Sequence, residues 1–125
     1  MKSFVFLVLM LPLFAFKADS IDNISKAMSA GDAITLGNYM DNNVELTILN
    51  KQAVYSKSDA VRQMQQFFAS NKPAGFNQMH QGTSKGIGAK YCIGNLKTNA
   101  TTYRVYIFLD ASSNTHKIQE LRIEK

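Results

Sequence analysis

The sequence predicts a single α+β domain in which N-terminal helices cover one face of a mainly antiparallel sheet. Three observations lead there. Between Phe76 and Glu124, four runs read as strands, FNQMHQGTS, AKYCIGNLKT, TYRVYIFLD and HKIQELRIE, and short breaks rich in turn residues separate them. Breaks of that length make neighbouring strands pair as antiparallel hairpins. The residues upstream carry apolar positions at helical spacing. Cys92 is the only cysteine, so no disulfide forms within the chain and a packed core must hold it together.

Met1 and Lys2 precede an apolar run from Phe4 to Phe16, broken by Pro12. A charged start followed by about 7–15 apolar residues is the pattern of a secretory signal. The run is shorter than the roughly 20 residues that span a bilayer. Ala15 and Ala18 offer small residues for cleavage. The expectation is a signal peptide over residues 1–18, one domain over residues 19–125, export to the periplasm or medium, and no stable membrane anchor after cleavage. Loss of Lys2 and Lys17 leaves 12 basic residues against nine acidic ones, a net charge of +3. These charges are scattered, without the basic stripe of a nucleic-acid binder, so no nucleic-acid partner is expected.

Ser20 to Ala30 places Ile21, Ile24, Ala27 and Met28 on one helical face, and Gly31 is suited to end that helix. Asp32 caps a second helix presenting Ile34, Leu36, Tyr39 and Met40, which the Asp41-Asn42-Asn43 cluster stops. Val44, Leu46 and Ile48 alternate with Glu45 and Thr47 as in a half-buried strand, and the chain turns over Asn50 to Gln52. Ser56 and Asp59 form a weakened capping box for the longest helix, Lys57 to Ser70, with Val61, Met64, Phe67 and Phe68 as its buried stripe.

A two-residue turn at Asn99-Ala100 sets Leu96 opposite Tyr103, Gly94 opposite Val105 and Cys92 opposite Ile107. A turn centred near Gly86 brings Phe76, Gln78 and His80 to the same face, and a loop through Ser112-Ser113-Asn114 adds Leu121 and Ile123. This face is the predicted core, packed on Phe67 and Phe68. The other face receives Met79, Gln81, Tyr91, Ile93, Asn95, Arg104, Tyr106, Phe108, Ile118, Glu120 and Arg122. It is too aromatic for a plain solvated surface and too charged for a core, a mixture that suits a protein–protein contact.

The order helix, helix, strand, long helix, antiparallel sheet resembles the nuclear transport factor 2-like (cystatin-like) fold. The segments AMSAGDAITLGNYMDNNVELTI, VYSKSDAVRQMQQFF, FNQMHQGTSKGIGAKYCIGNLKT, TYRVYIFL and IQELRIEK are similar to the domain of unknown function 4783 family of small exported bacterial proteins. The resemblance spans nearly all of the chain after Ala18. It implies a cone-shaped α+β fold and an exported compartment, and it carries no catalytic residues. Enzymes of the wider fold place carboxylates, His or Tyr inside the cone, but fold alone does not transfer chemistry.

Within the predicted core face, His80, Gln78 and Tyr103 are the polar residues able to contact a small apolar ligand in the cone. His80 is also of the residue type that serves as a general base, but no carboxylate is aimed at it. A structural, hydrogen-bonded His80 is the plainer reading. Tyr91, Arg104, Tyr106, Phe108, Glu120 and Arg122 form a candidate homodimer face, against the plainer reading of a cross-strand ion pair. Two separated His and one strand Cys lack metal-ligand spacing, so no metal is expected. GTSKGIG lacks the P-loop pattern and a following helix, and no cofactor is expected. Cys92 reads as a small buried apolar residue. The sequence thus favours an exported binding or assembly module without catalytic residues. A small lyase, isomerase or hydrolase using His80 and Tyr103 is the alternative.

Overall fold

The computed structural model describes residues 20–83, 89–110 and 117–125. The predicted signal segment, the turn near Gly86, the loop through Ser112-Ser113-Asn114 and His116 lie outside them. In chain order the elements are α1 (Ser20–Ala30), α2 (Ala33–Gly37), β1 (Met40–Ile48), β2 (Lys51–Ser56), α3 (Lys57–Ser70), β3 (Pro73–Thr83), β4 (Lys90–Thr98), β5 (Thr102–Leu109) and β6 (Ile118–Glu124).

The strands form one sheet in the order β2-β1-β6-β5-β4-β3. Every pairing is antiparallel except that of β1 with β6, which is parallel and joins the N-terminal hairpin to the C-terminal strand. The helices lie together on the inner face of this sheet. The α1 stripe of Ile21, Ile24, Ala27 and Met28 is buried at the expected spacing. Gly31 adopts φ 67° and lets the chain reverse, with the Asp32 N–H donating to the Ala27 carbonyl at 2.9 Å. Asp32 then caps α2, accepting from the Thr35 N–H at 3.0 Å and from its hydroxyl at 2.6 Å. These bonds hold the Asp32 carboxyl below its ordinary range. Ser56 caps α3 by accepting from the Asp59 N–H at 3.3 Å.

The hairpin arithmetic holds for β4 and β5. Leu96 opposes Tyr103, Gly94 opposes Val105 and Cys92 opposes Ile107. The turn between them closes through the Thr98 N–H to the Thr101 carbonyl at 3.0 Å. Tyr103, Val105 and Ile107 are buried together with Leu121 and Ile123, whereas Arg104 is exposed and Tyr106 half-buried. Phe67 of α3 meets the Tyr103 ring edge-on at 5.2 Å between centroids. The half-buried Phe76 lies over Gly94, where an added Cβ would collide with its ring and come within 2.7 Å of the Asn77 carbonyl oxygen.

Elsewhere the structure corrects the reading. The residues after the turn, Lys51–Ser56, form a full strand, β2, that pairs with β1. Two-residue reversal at Leu49-Asn50 begins it, with Leu49 at φ 56°. The second helix stops at Gly37, so Met40 is buried from β1 and not from the helix, and Ile34, inside the helix, is 65% exposed. The Asp41-Asn42-Asn43 cluster runs inside that strand, because the Ile118 N–H donates to the Tyr39 carbonyl at 2.6 Å and ties the chain to β6.

Two of the register shifts change the faces expected from alternation. In β3, Gln78 opposes Gly94 but His80 opposes Ile93, leaving Met79 as an extra residue. A one-residue slip reverses every side chain beyond it. His80 therefore lies on the outer face and Gln81 takes the inner one. In β6 the pairing steps from Leu109–Ile118 to Phe108–Glu120, so Gln119 is extra and Ile118 turns into the core, fully buried.

Candidate functional site

Among the places on the described scaffold where polar chemistry meets apolar surface, two carry the candidate sites. The first is the outer face of the sheet. Lateral pairing lines up Thr47, Arg122, Tyr106, Ile93 and His80 in one row across five strands, and Glu45, Glu120, Phe108, Tyr91 and Gly82 in the next. Tyr91, Ile93, Tyr106 and Phe108 are half-buried by their neighbours, and no described element covers them.

Several polar residues of this face are held by specific contacts, while the Thr47 hydroxyl is buried without a hydrogen-bond partner among the described residues. Arg122 donates to Glu120 at 3.0 Å, sits 3.9 Å from Glu124, and lies 5.9 Å from the Tyr106 ring centroid. That ladder lies on one strand and its facing neighbour, at partly exposed positions, so its stabilising value is small. Arg104 is exposed and makes no ion pair among the described residues. Tyr91 crosses toward β3, where the absence of a side chain at Gly82 makes room: a Cβ there would lie 2.6 Å from the Tyr91 hydroxyl oxygen. The hydroxyl is 2.8 Å from His80 Nε2. Met79, the bulge residue, is 60% exposed beside them.

The second place is a half-open groove of about 260 Å³ at the rim of the cone, between α3 and the β1–β2 hairpin. Its floor is Leu46, Ile48, Tyr55 and Phe67. Gln63, Gln66 and Ser70 of α3 form one wall, Asn71 closes the inner end, and Lys51 stands at the strand end. Asn71 is fixed in place. Its carbonyl oxygen accepts from the Tyr103 hydroxyl at 2.7 Å, and its amide donates to the Phe67 carbonyl at 3.1 Å.

The residues singled out for the cone do not converge. Gln78 faces inward but is tethered to α1, donating to the Ser25 hydroxyl at 2.6 Å. Tyr103 is buried under the end of α3 and reaches the groove only through Asn71. His80 lies on the other side of the sheet, so His80 and Tyr103 do not share a site. The six residues of the expected dimer face, Tyr91, Arg104, Tyr106, Phe108, Glu120 and Arg122, do share one face, and the β3 bulge adds His80 to it. Sequence reasoning did not reach the groove because Lys51 and Tyr55 belong to the unforeseen strand β2. Strict alternation of Lys51, Ala53 and Tyr55 is the signal that points them inward.

Burial, with the negative charge of Asp22 adding to it, pushes the Cys92 thiol up to about 11. It is a core residue without the electropositive surroundings of a nucleophile. Among the described residues, no three His, Cys, Asp or Glu side chains gather where they could hold a metal ion.

Helices on one face of an open, mixed six-stranded sheet, with a groove at the rim, define the α+β cone of nuclear transport factor 2-like, or cystatin-like, proteins. A cystatin-fold protein from Novosphingobium aromaticivorans superposes at a TM-score of 0.59 over 84% of this chain and 94% of that one, at 10% identity. The chain belongs to the family described as domain of unknown function (DUF4783), whose sequence pattern matches residues 21–124. A DUF4783 protein from Bacteroides ovatus is 33% identical, with a TM-score of 0.77 over 82% of this chain and 92% of that one. Another from Bacteroides uniformis is 30% identical, with a TM-score of 0.80 over 86% of this chain and 97% of that one. No curated protein matches the chain.

Proposed function

We propose that this DUF4783 protein is an exported binding and assembly module that pairs with a second copy of itself through the outer face of its sheet. The observation that carries the reading is the uncovered band of Tyr91, Ile93, Tyr106 and Phe108, bordered by charges of both signs. In a two-fold contact each residue meets its counterpart's neighbours, so a face must be self-complementary. Exposed Arg104, opposite Glu124 in the β5–β6 register, and Glu120 at the other end of the band put charges of both signs on the face and support that complementarity. Aromatic and Arg side chains are also the types enriched where interfaces are desolvated.

Light scattering during size-exclusion chromatography tests this. The mature chain should elute at twice its own mass, and Tyr106→Glu, at a half-buried surface position, should elute as a folded monomer. A monomeric unmodified protein across the micromolar range would refute the dimer. Export has its own readout: expressed with its leader, the chain should be recovered outside the cytoplasm with its first residues removed.

A second reading is favoured by a separate observation, the apolar floor of the rim groove. The cone would hold a small apolar body there, against Leu46, Ile48 and Phe67, rather than beside His80 and Gln78. Binding without turnover fits a site whose described polar lining is amides, two hydroxyls and an ammonium, with no His or carboxylate among them.

A further inference from the structure

We propose that the groove between α3 and the β1–β2 hairpin binds a small amphipathic monoanion, with its apolar body on the groove floor and its charged end at Lys51. This rests on the reading of the groove as a ligand site and adds the class of ligand. Size comes first. A volume of about 260 Å³ lies just under the roughly 300–1,000 Å³ of sites for drug-sized molecules. At about 30 Å³ for each water-sized unit, it accommodates roughly nine heavy atoms.

The floor of the groove is apolar, and its formal charge lies at the hairpin end. Leu46 and Phe67 are nearly inaccessible at the inner end of the floor, at 1% and 6% exposure. Lys51 is paired with Ile48 in the β1–β2 register, at the end of the hairpin, and is exposed. A ligand therefore enters with its apolar end toward Phe67 and leaves its polar end at Lys51.

The sign of that end follows from the charges present. Among the described residues, Lys51 is the one formally charged residue lining the groove, the polar remainder being uncharged amides and hydroxyls. It has no carboxylate partner among the described residues. Glu45, the acid nearest in the hairpin, points to the outer face and is engaged by Gln52. A cation would meet an unopposed ammonium. A single ammonium, helped by neutral donors from Gln63, Gln66 and Ser70, matches one negative charge better than two. Asn71 contributes shape, since its carbonyl oxygen and one amide hydrogen are already bonded within the protein.

Three probes of equal chain length separate the possibilities: octanoate, octan-1-ol and octylammonium. Each is titrated into the mature chain and into Lys51→Met, following the methyl and ring signals of Leu46, Ile48, Phe67 and Tyr55 by NMR. Octanoate should bind more tightly than octanol by roughly two- to fivefold, the range expected for an exposed ion pair. Octylammonium should bind most weakly, and Lys51→Met should erase the advantage of octanoate while leaving octanol unchanged. Equal binding of octanoate and octanol to both proteins would overturn the assignment of a monoanion while leaving the groove as an apolar site. If none of the probes moves the floor signals, the groove reading fails as well.

Discussion

Gly94→Ala places one methyl group where the structure has no room for it. The new Cβ would lie 2.8 Å from Phe76 Cε1 and 2.7 Å from the Asn77 carbonyl oxygen, both well inside normal contact. The two obstacles differ in kind. Phe76 is half-buried and its ring can swing aside, losing contact with the core. The Asn77 oxygen belongs to the backbone of β3, so relief there requires the strand to move away from β4. Inserting a methylene into a packed core costs about 1–3 kcal/mol, and the immovable backbone atom places this substitution toward the upper end, at about 2–3 kcal/mol. For a domain of this size that lowers Tm by roughly 8–15 °C. Urea unfolding followed by circular dichroism supplies the measurement, on the parent, Gly94→Ala, Phe76→Ala and the double variant. Contacting residues couple by about 0.5–3 kcal/mol, so Gly94→Ala should cost about 1 kcal/mol less when Phe76 is already Ala. A Gly94→Ala protein within about 0.5 kcal/mol of the parent would refute the packing argument. An equal cost in both backgrounds would show that the ring is not the obstacle.

Two further outcomes follow from the charged and titratable groups. Cys92, raised to about 11, has on the order of one thiolate in a thousand at pH 8 and is closed to reagents by its burial. An aromatic disulfide reagent should label it only on unfolding in denaturant, and immediate stoichiometric labelling of the folded protein would contradict its placement in the core. Asp32 is held below its ordinary range by its bonds to Thr35. A carboxyl lowered in the folded state stabilises fully above its unfolded pKa, roughly 3.9, and loses that contribution as pH falls through the folded value. The Tm difference between the parent and Asp32→Ala should therefore be constant above about pH 5 and shrink in acid. A difference unchanged at pH 2 would argue against the carboxylate as the cap.

The alternation of Tyr103, Val105 and Ile107 with Arg104, Tyr106 and Phe108 is unambiguous because one side of β5 meets the helices and the other meets none of the described elements. The faces of β4 and β5 and the caps of α2 and α3 were legible for that reason, each resting on local chemistry. Strand β2 was not. At a sheet edge its most apolar residue, Val54, points outward and is 69% exposed, while Lys51 heads the inward-facing set. Its pattern becomes readable only once β1 is known to pair with it. Likewise, the turn-forming Asp41-Asn42-Asn43 is drawn into β1 by a bond to β6, a partner some 80 positions away. The bulges at Met79 and Gln119 leave no compositional mark, since neither position holds a glycine. They decided which face received His80 and Ile118, and hence which candidate site His80 belonged to.

The β3 bulge also bears on the self-association proposed above. With Met79 absorbed, His80 completes the row beginning at Thr47, and Gly82 falls opposite Tyr91. Without that extra residue, Gln81 would stand opposite Tyr91 and block the space its ring occupies. Bulge, glycine and tyrosine thus act together to extend the aromatic band to the last strand. The same bulge interrupts the free edge of β3, and Pro73 removes a donor at its start, two devices that discourage edge-to-edge pairing. At the opposite edge β2 is only six residues long and begins with Lys51, again an unfavourable template for strand addition. With both edges blunted and helices packed on the inner face, the outer face stays open for association among the described elements. Its aromatic content is the reason to expect that a partner uses it.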